Sequence, residues 1–247
     1  RMVLEKIVHL EALEDIARLP KHAERVIAAA AYYVGIGLSV VPLQIGGKEL
    51  PPKKYKVGFP EATKSEKTVL RWFSEGGKFH GWNIGIVGGK SDGVFIVDVD
   101  VEDYKGRKGF VTLAELEDEH GKLEAPYAKT PRGGRHYFFK WDYGCGSRNN
   151  GLGPAIDVKG GKMEAHTGFV AAFPSVVDGK TYEWQCGGAI PDLPEWVVNK
   201  VFKTESAILS HGGKGGRGNE EMEAEDTETR YDLGSLYKMV AYINPDN

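Results

Sequence analysis

Gly93-Val94-Phe95-Ile96-Val97-Asp98-Val99-Asp100 is a β-branched and aromatic run that ends on two carboxylates. A short apolar run of this composition, entered from a turn, reads as a buried strand. The period of two along a strand puts Asp98 and Asp100 on one face and Val99 on the other. Two carboxylates held close at a strand end repel each other and resist leaving water, so a cation is their natural partner, and divalent ions take oxygen ligands. The same acids can instead reach solvent or pair with Lys105, Arg107 or Lys108 downstream. The strand alone leaves both readings open.

Upstream, Asn83 to Val87 reads as a second strand, joined to the first by the turn-rich stretch from Gly88 to Gly93. Thr63 to Glu66 has the T-x-x-E form of a capping box and predicts a helix whose Val69, Leu70 and Phe73 face a core. Before it lies a basic, proline-containing loop, Gly46 to Pro60, with Lys48, Lys53, Lys54 and Lys56. The uncharged run from Val26 to Gly47 is about the ~20 residues a membrane span needs. Its Gly35, Gly37, Ser39 and Pro42 instead predict an alanine-rich helix that breaks at the glycines, followed by a strand from Leu38 to Leu43. Apolar residues near helical spacing, stopped by Pro20, predict a helix over 3–19.

Downstream, a second T-x-x-E, Thr112 to Glu115, predicts a helix ending near His120. Short strands follow at Tyr127 to Thr130, His136 to Trp141, Ala155 to Lys159 and Gly168 to Phe173, and a helix at Pro194 to Phe202 closes the unit. Helices and strands alternate first and strands dominate later, which predicts an α+β (mixed α/β) fold with two subdomains. Residues 1–24 form an N-terminal helical segment, 25–203 the main domain, 204–232 a Gly-rich and then acidic linker, and 233–247 the start of a further helical module.

The 247 residues carry 32 Lys plus Arg against 35 Asp plus Glu, a net charge of −3, but the acids are unevenly spread. Seven of them fall in 219–232 beside one base, Arg230, so the remainder is mildly basic and compatible with a polyanionic partner. Hydrophobic residues at 41% and charged residues at 27% exclude a collagen, a coiled coil and wholesale disorder. Cys145 and Cys186 stand far apart with no C-x-x-C spacing, so neither a disulfide scaffold nor a zinc site is expected, and a cytoplasmic setting fits. The N-terminus lacks the pattern of a signal peptide, and no membrane partner is expected.

Two further constellations carry chemistry. Thr130-Pro131-Arg132-Gly133-Gly134-Arg135-His136 is a glycine turn entering an aromatic strand. The glycines permit close approach to an anion, with Arg132, Arg135 and His136 as donors to phosphate; a plain hairpin with a half-buried histidine is the alternative. In Ile156-Asp157-Val158-Lys159-Gly160, alternation puts Asp157 and Lys159 on one face. Asp157 can complete a three-carboxylate metal site and Lys159 can meet a phosphate, or the two can form a simple surface pair.

Taken in order, Asp98-Val99-Asp100, Gly133-Gly134-Arg135-His136, Asp157-Val158-Lys159-Gly160 and the run Phe169 to Ser175 ending Pro-Ser resemble the primase-polymerase domain of the archaeo-eukaryotic primase superfamily, as found in plasmid and phage replication proteins. Gly47-Lys48-Glu49-Leu50-Pro51, Glu61-Ala62-Thr63 and Asn83-Ile84-Gly85-Ile86 look like that family too, so the resemblance covers residues 25–202. It implies an RNA-recognition-motif-like antiparallel sheet beside a second α/β subdomain, with the cleft between them. It further implies that Asp98, Asp100 and Asp157 hold two divalent ions, Mg²⁺ or Mn²⁺, and that His136 contacts the triphosphate of an incoming nucleotide. Arg135, Lys159, Ser175 and Lys48 are carried over as further nucleotide-site residues. The one departure is Gly161 to Ala165, longer than the tight glycine turn expected there, which bears on the placement of Ser175. Some relatives carry a zinc loop, and the two distant cysteines offer none.

The activity so implied is template-directed nucleotidyl transfer from NTPs or dNTPs onto a DNA template and primer, in replication of a mobile element, with a helicase module as the family's usual companion. Two other classes use the same residues. A metal-dependent nuclease or phosphodiesterase needs the carboxylates but no triphosphate clamp. A non-catalytic single-strand binder needs neither, and its acidic face would repel phosphate.

Overall fold

The computed structural model describes residues 5–89, 93–141, 145–162 and 165–201. The chain enters with a short strand, β1 (Ile7–Val8), and two helices, α1 (Leu10–Ala17) and α2 (His22–Gly35), before β2 (Val40–Leu43). The basic loop holds two 3-10 turns, Lys53–Tyr55 and Phe59–Glu61, and leads to α3 (Glu66–Phe73), β3 (Asn83–Gly89) and β4 (Val94–Val99). Helix α4 (Gly109–His120) is followed by β5 (Tyr127–Lys129), β6 (Arg135–Lys140), β7 (Arg148–Gly153), β8 (Ile156–Lys159), β9 (Gly161–Lys162) and β10 (Ala165–Ala171). Four short strands come last: β11 (Val176–Val177), β12 (Lys180–Thr181), β13 (Glu183–Cys186) and β14 (Gly188–Ala189). A helix then runs from 195 to 201, where the described residues end. The expected linker over 204–232 and module over 233–247 lie outside the described residues.

The fold is α+β, built on two antiparallel sheets. One has four strands in the order β2-β3-β10-β9; the other has six in the order β13-β5-β6-β4-β8-β7. β4 lies inside the six-stranded sheet, paired with β6 and β8, and its alternation serves two cores at once. Val94 and Ile96 join Phe138, the four-stranded sheet and helices α1 to α3. Phe95, Val97 and Val99 join Tyr137, Phe139, Ile156, Val158 and Leu113 and Leu116 of α4 on the other face. Each of these fully buried aliphatic or aromatic side chains stabilises the fold by about 1.5–3 kcal/mol relative to exposure. That burial on both faces fixes the register, because a slip of one residue would exchange the two sets. Among the described residues no helix is long and apolar enough to cross a membrane.

Three helix starts differ from expectation. Helix α1 begins at Leu10 because Ile7 and Val8 are taken up as a strand paired with β14. Thr63 bridges Val40 as an extended residue, and Ser65 instead caps α3, its hydroxyl accepting from the Thr68 N–H. Helix α4 starts at Gly109, before Thr112, with the Thr112 N–H already donating to the Lys108 carbonyl. Here glycine is required by space: a Cβ on Gly109 would lie 2.1 Å from the Asp100 carbonyl oxygen. Gly134 meets the same strand end, where a Cβ would stand 2.5 Å from the Val99 carbonyl oxygen.

Candidate active site

The register of three strands lines up the acids. Asp98 of β4 is paired with Asp157 of β8 on one side and with His136 of β6 on the other. Side chains directly opposite in antiparallel strands share a face, and this is the face that Val94, Ile96 and Phe138 give to the larger core. His136, 5% exposed, places Nε2 3.3 Å from Asp98 Oδ1, and its ring stacks on Tyr182 with centroids 5.7 Å apart. Its Nδ1 is buried with no hydrogen-bond partner among the described residues. Asp157 accepts from the Asn150 N–H at 2.8 Å through Oδ1 and from Lys159 Nζ at 2.9 Å through Oδ2.

The electrostatics distinguish the carboxylates. Burial pushes the Asp98 carboxyl up, but the charge and hydrogen bond of His136, with help from Lys159 and Lys48, hold it below the ordinary value. Asp100 goes the other way. Burial and then the charges of Asp98 and Asp157 raise it, and Lys48 and Arg132 only partly offset them. The cluster therefore carries more negative charge than its own bases neutralise. Among the described residues, no three His, Cys, Asp or Glu side chains converge at metal-ligating separation.

Of the expected site residues, Asp98, Asp100, Asp157, His136 and Lys159 come together, and exposed Lys48 is close enough for its charge to act on both Asp98 and Asp100. Buried Asn83 holds that loop in place: its Nδ2 donates to the Gly47 carbonyl and to the Val176 carbonyl, both at 2.8 Å. Arg135 does not join the group. It alternates to the other face, where it donates to the Tyr137 hydroxyl and lies over the rings of Tyr127 and Phe110. Nor does Ser175, which is wholly buried and bound through its hydroxyl to both the N–H and the carbonyl of Ile84. Its hydroxyl is committed to anchoring β3 and has no reach toward a ligand.

Arg132, in the turn that carries the glycines, is the basic residue whose charge does reach Asp100. Its turn is a tight hairpin, with the Gly133 N–H bound to the Thr130 carbonyl and the Gly134 N–H to Thr130 Oγ1. Tyr182 escaped the sequence reading altogether. The only signal for it is a weak alternation with Trp184 in a polar stretch.

A family model described as bifunctional DNA primase/polymerase, N-terminal, matches residues 29–196. The chain belongs to this family. A search of curated proteins finds no match. The matched prim-pol span includes the whole Asp157, Asp98 and His136 row, together with Lys48, Arg132 and Tyr182. Prim-pol membership supports primase- and polymerase-type nucleotidyl transfer in general, so the resemblance carried by the ordered motifs is borne out, as is the α+β fold.

Proposed function

We propose that this prim-pol chain is a DNA primase-polymerase that extends a strand from NTPs or dNTPs under the direction of a DNA template, in the replication of a mobile element's DNA. The observation that carries this reading is the paired row of Asp157, Asp98 and His136, flanked by Asp100, inside the family-matched span. Two divalent ions, Mg²⁺ or Mn²⁺, fit the donor set in chemistry. The carboxylates are hard oxygen ligands, and the mutual repulsion that raises Asp100 is relieved by a cation. Asp98, Asp100 and Asp157 would hold the ions; when bound, such ions lower the pKa of the attacking 3′-hydroxyl and offset charge developing at the α-phosphate.

The protein's own groups do the rest. His136 Nδ1 is a buried polar atom without a partner, suited to a phosphate oxygen of the incoming triphosphate. Lys48 and Arg132 bring positive charge to the same side, where the pyrophosphate leaves, and Tyr182 holds the His136 ring in its stack. Catalysis then comes chiefly from positioning and fixed charge.

The test is template-dependent extension of a labelled primer with Mg²⁺ or Mn²⁺, beside Asp98→Ala/Asp100→Ala. Extension by the wild type and none by the variant is the expected result. Metal-dependent strand cleavage without extension would replace this reading with a nuclease. Oligonucleotide binding indifferent to both the variant and chelation, with no turnover, would replace it with a binding module.

A further inference from the structure

Beyond Asp157, on the side away from His136, an open pocket of about 400 Å³ is lined by Phe59, Arg148, Asn149, Lys159 and Phe169 among others. Neither the family motifs nor the reading above uses it. Two features give it a chemical character. Arg148 is the first residue of β7, and its Nη1 is buried without a hydrogen-bond partner among the described residues. A buried cationic donor left unpaired is costly and marks a place where an acceptor belongs. The rings of Phe59 and Phe169 pack at 5.7 Å and add a flat apolar wall. A guanidinium and an ammonium beside exposed aromatic carbon match one ligand class, a nucleotide, with its phosphate on the bases and its base or sugar on the rings.

Sheet order says which nucleotide. β6, β4, β8 and β7 are consecutive neighbours, so His136, Asp98, Asp157 and Arg148 fall on successive strands. At roughly 4.8 Å per strand, β7 lies on the order of 14 Å from β6. Lys159 spans the gap, lining the pocket while its Nζ reaches Asp157. In phosphoryl transfer the attacking and leaving oxygens are roughly in line on opposite sides of the phosphorus. With the pyrophosphate leaving on the His136 side, the strand that supplies the 3′-oxygen arrives from the Arg148 side. We infer that this pocket holds the 3′-terminal nucleotide of the growing strand, with its 5′-phosphate on Arg148 and its base or sugar against Phe59 and Phe169. The inference rests on the polymerase reading, since it uses the direction of that reaction. The transfer itself is balanced: the 3′-oxygen gives up its proton, bonds the α-phosphorus, and pyrophosphate departs.

The experiment is steady-state primer extension by the full chain, with primer–template and dNTP varied separately, for wild type, Arg148→Ala, Arg148→Lys and Phe59→Ala. Arg148→Ala should raise KM for primer–template at least about tenfold and leave KM for dNTP within about twofold. The slope of log affinity against log salt should fall by about one, and Arg148→Lys should recover most of the loss. Phe59→Ala should raise the same KM, which keeps the inference testable if Arg148→Ala fails to fold by circular dichroism. An unchanged KM for primer–template in both alanine variants, or a rise confined to the dNTP, would overturn it. Failure of the polymerase reading is visible separately, as absence of extension by the wild type. Fluorescence anisotropy of labelled primer–template then reads the pocket directly: an unchanged Kd in Arg148→Ala overturns it, and a tenfold loss retains it as a strand-binding pocket.

Discussion

His136 and Asp98 stand opposite each other across β6 and β4 with Nε2 3.3 Å from Oδ1, while the other ring nitrogen is left buried and unpartnered among the described residues. One histidine thus serves a carboxylate with one nitrogen and offers the second to a ligand. The two partners are not equivalent under mutation. His136→Ala leaves a buried carboxylate uncompensated and should cost about 3 kcal/mol in urea unfolding. Asp98→Asn keeps an acceptor for the ring and should leave Tm within about 4 °C of wild type. Extension should nevertheless fall about 10³-fold in Asp98→Asn, because the charge that a metal ion requires is gone. Equal loss of stability in the two variants would show that the pair is a mutual ion pair rather than this asymmetric arrangement.

Arg132 and Arg135 belong to one short segment and should separate cleanly. Arg135 spends its guanidinium on the Tyr137 hydroxyl and two aromatic rings of the opposite face, so Arg135→Ala should lose about 1–2 kcal/mol of stability and leave KM for nucleotide unchanged. Arg132→Ala should do the reverse, raising KM for nucleotide several-fold with an unaltered unfolding midpoint. Paired thermal melts and kinetics on the two variants decide it, and a KM effect in Arg135→Ala is the result that contradicts this placement.

Gly109→Ala tests how closely α4 abuts the acidic strand end. The added Cβ would meet the Asp100 carbonyl at 2.1 Å, so either the helix or the strand must move. Overpacking of this kind costs about 1–3 kcal/mol. Because the strand end carries Asp100, activity should fall as well, in contrast to Gly121→Ala at the far end of the same helix, where nothing crowds the added methyl. Thermal melts and extension rates on both variants make the comparison, and normal activity in Gly109→Ala would mean that the helix yields alone.

Alkaline stability reports on the buried phenols. Burial pushes Tyr182 up to about 12, with the charges of Asp98 and Asp100 adding to it, and burial also pushes Tyr32 up to about 12. An unfolded tyrosine ionises near 10, so between pH 10 and 12 the unfolded chain releases protons that the folded chain keeps. Stability therefore falls as pH rises through that window and is unaffected by these groups below it. The loss for Tyr182 is on the order of 2–3 kcal/mol, and Tyr182→Phe should remove it. Urea midpoints at pH 9 and pH 11.5 check this; the same pH dependence in wild type and Tyr182→Phe would contradict it.

Much of the site was legible in the sequence because strand alternation is a local rule. Val94 to Asp100, the Gly133-Gly134 turn and Ile156 to Lys159 each obey it, and so the facing acids could be read before any pairing was known. Arg135 shows the limit of the same rule: neighbouring His136 points to the site, and period two therefore sends Arg135 away from it. Ser175 was misplaced because a buried hydroxyl that bonds a distant backbone, here Ile84, looks in sequence like one that is free. β7 was missed because Arg148-Asn149-Asn150-Gly151 reads as a turn, and only its pairing with β8 makes it a strand. Tyr182 meets His136 through tertiary packing alone, which no local pattern encodes.

The position of β4 also governs what happens while the chain is being made. Its partners, β6 and β8, both lie later in the sequence, the second roughly 60 residues on. At a synthesis rate of about 5–20 residues per second, β4 waits on the order of 3–12 s with both hydrogen-bonding edges unclaimed. An apolar strand in that state is the kind of template on which nascent chains stick to one another. The two carboxylates at its end thus have a second use before any catalysis begins: they place like charges on the very segment most exposed to mispairing, and turn neighbouring copies away until its own partners emerge.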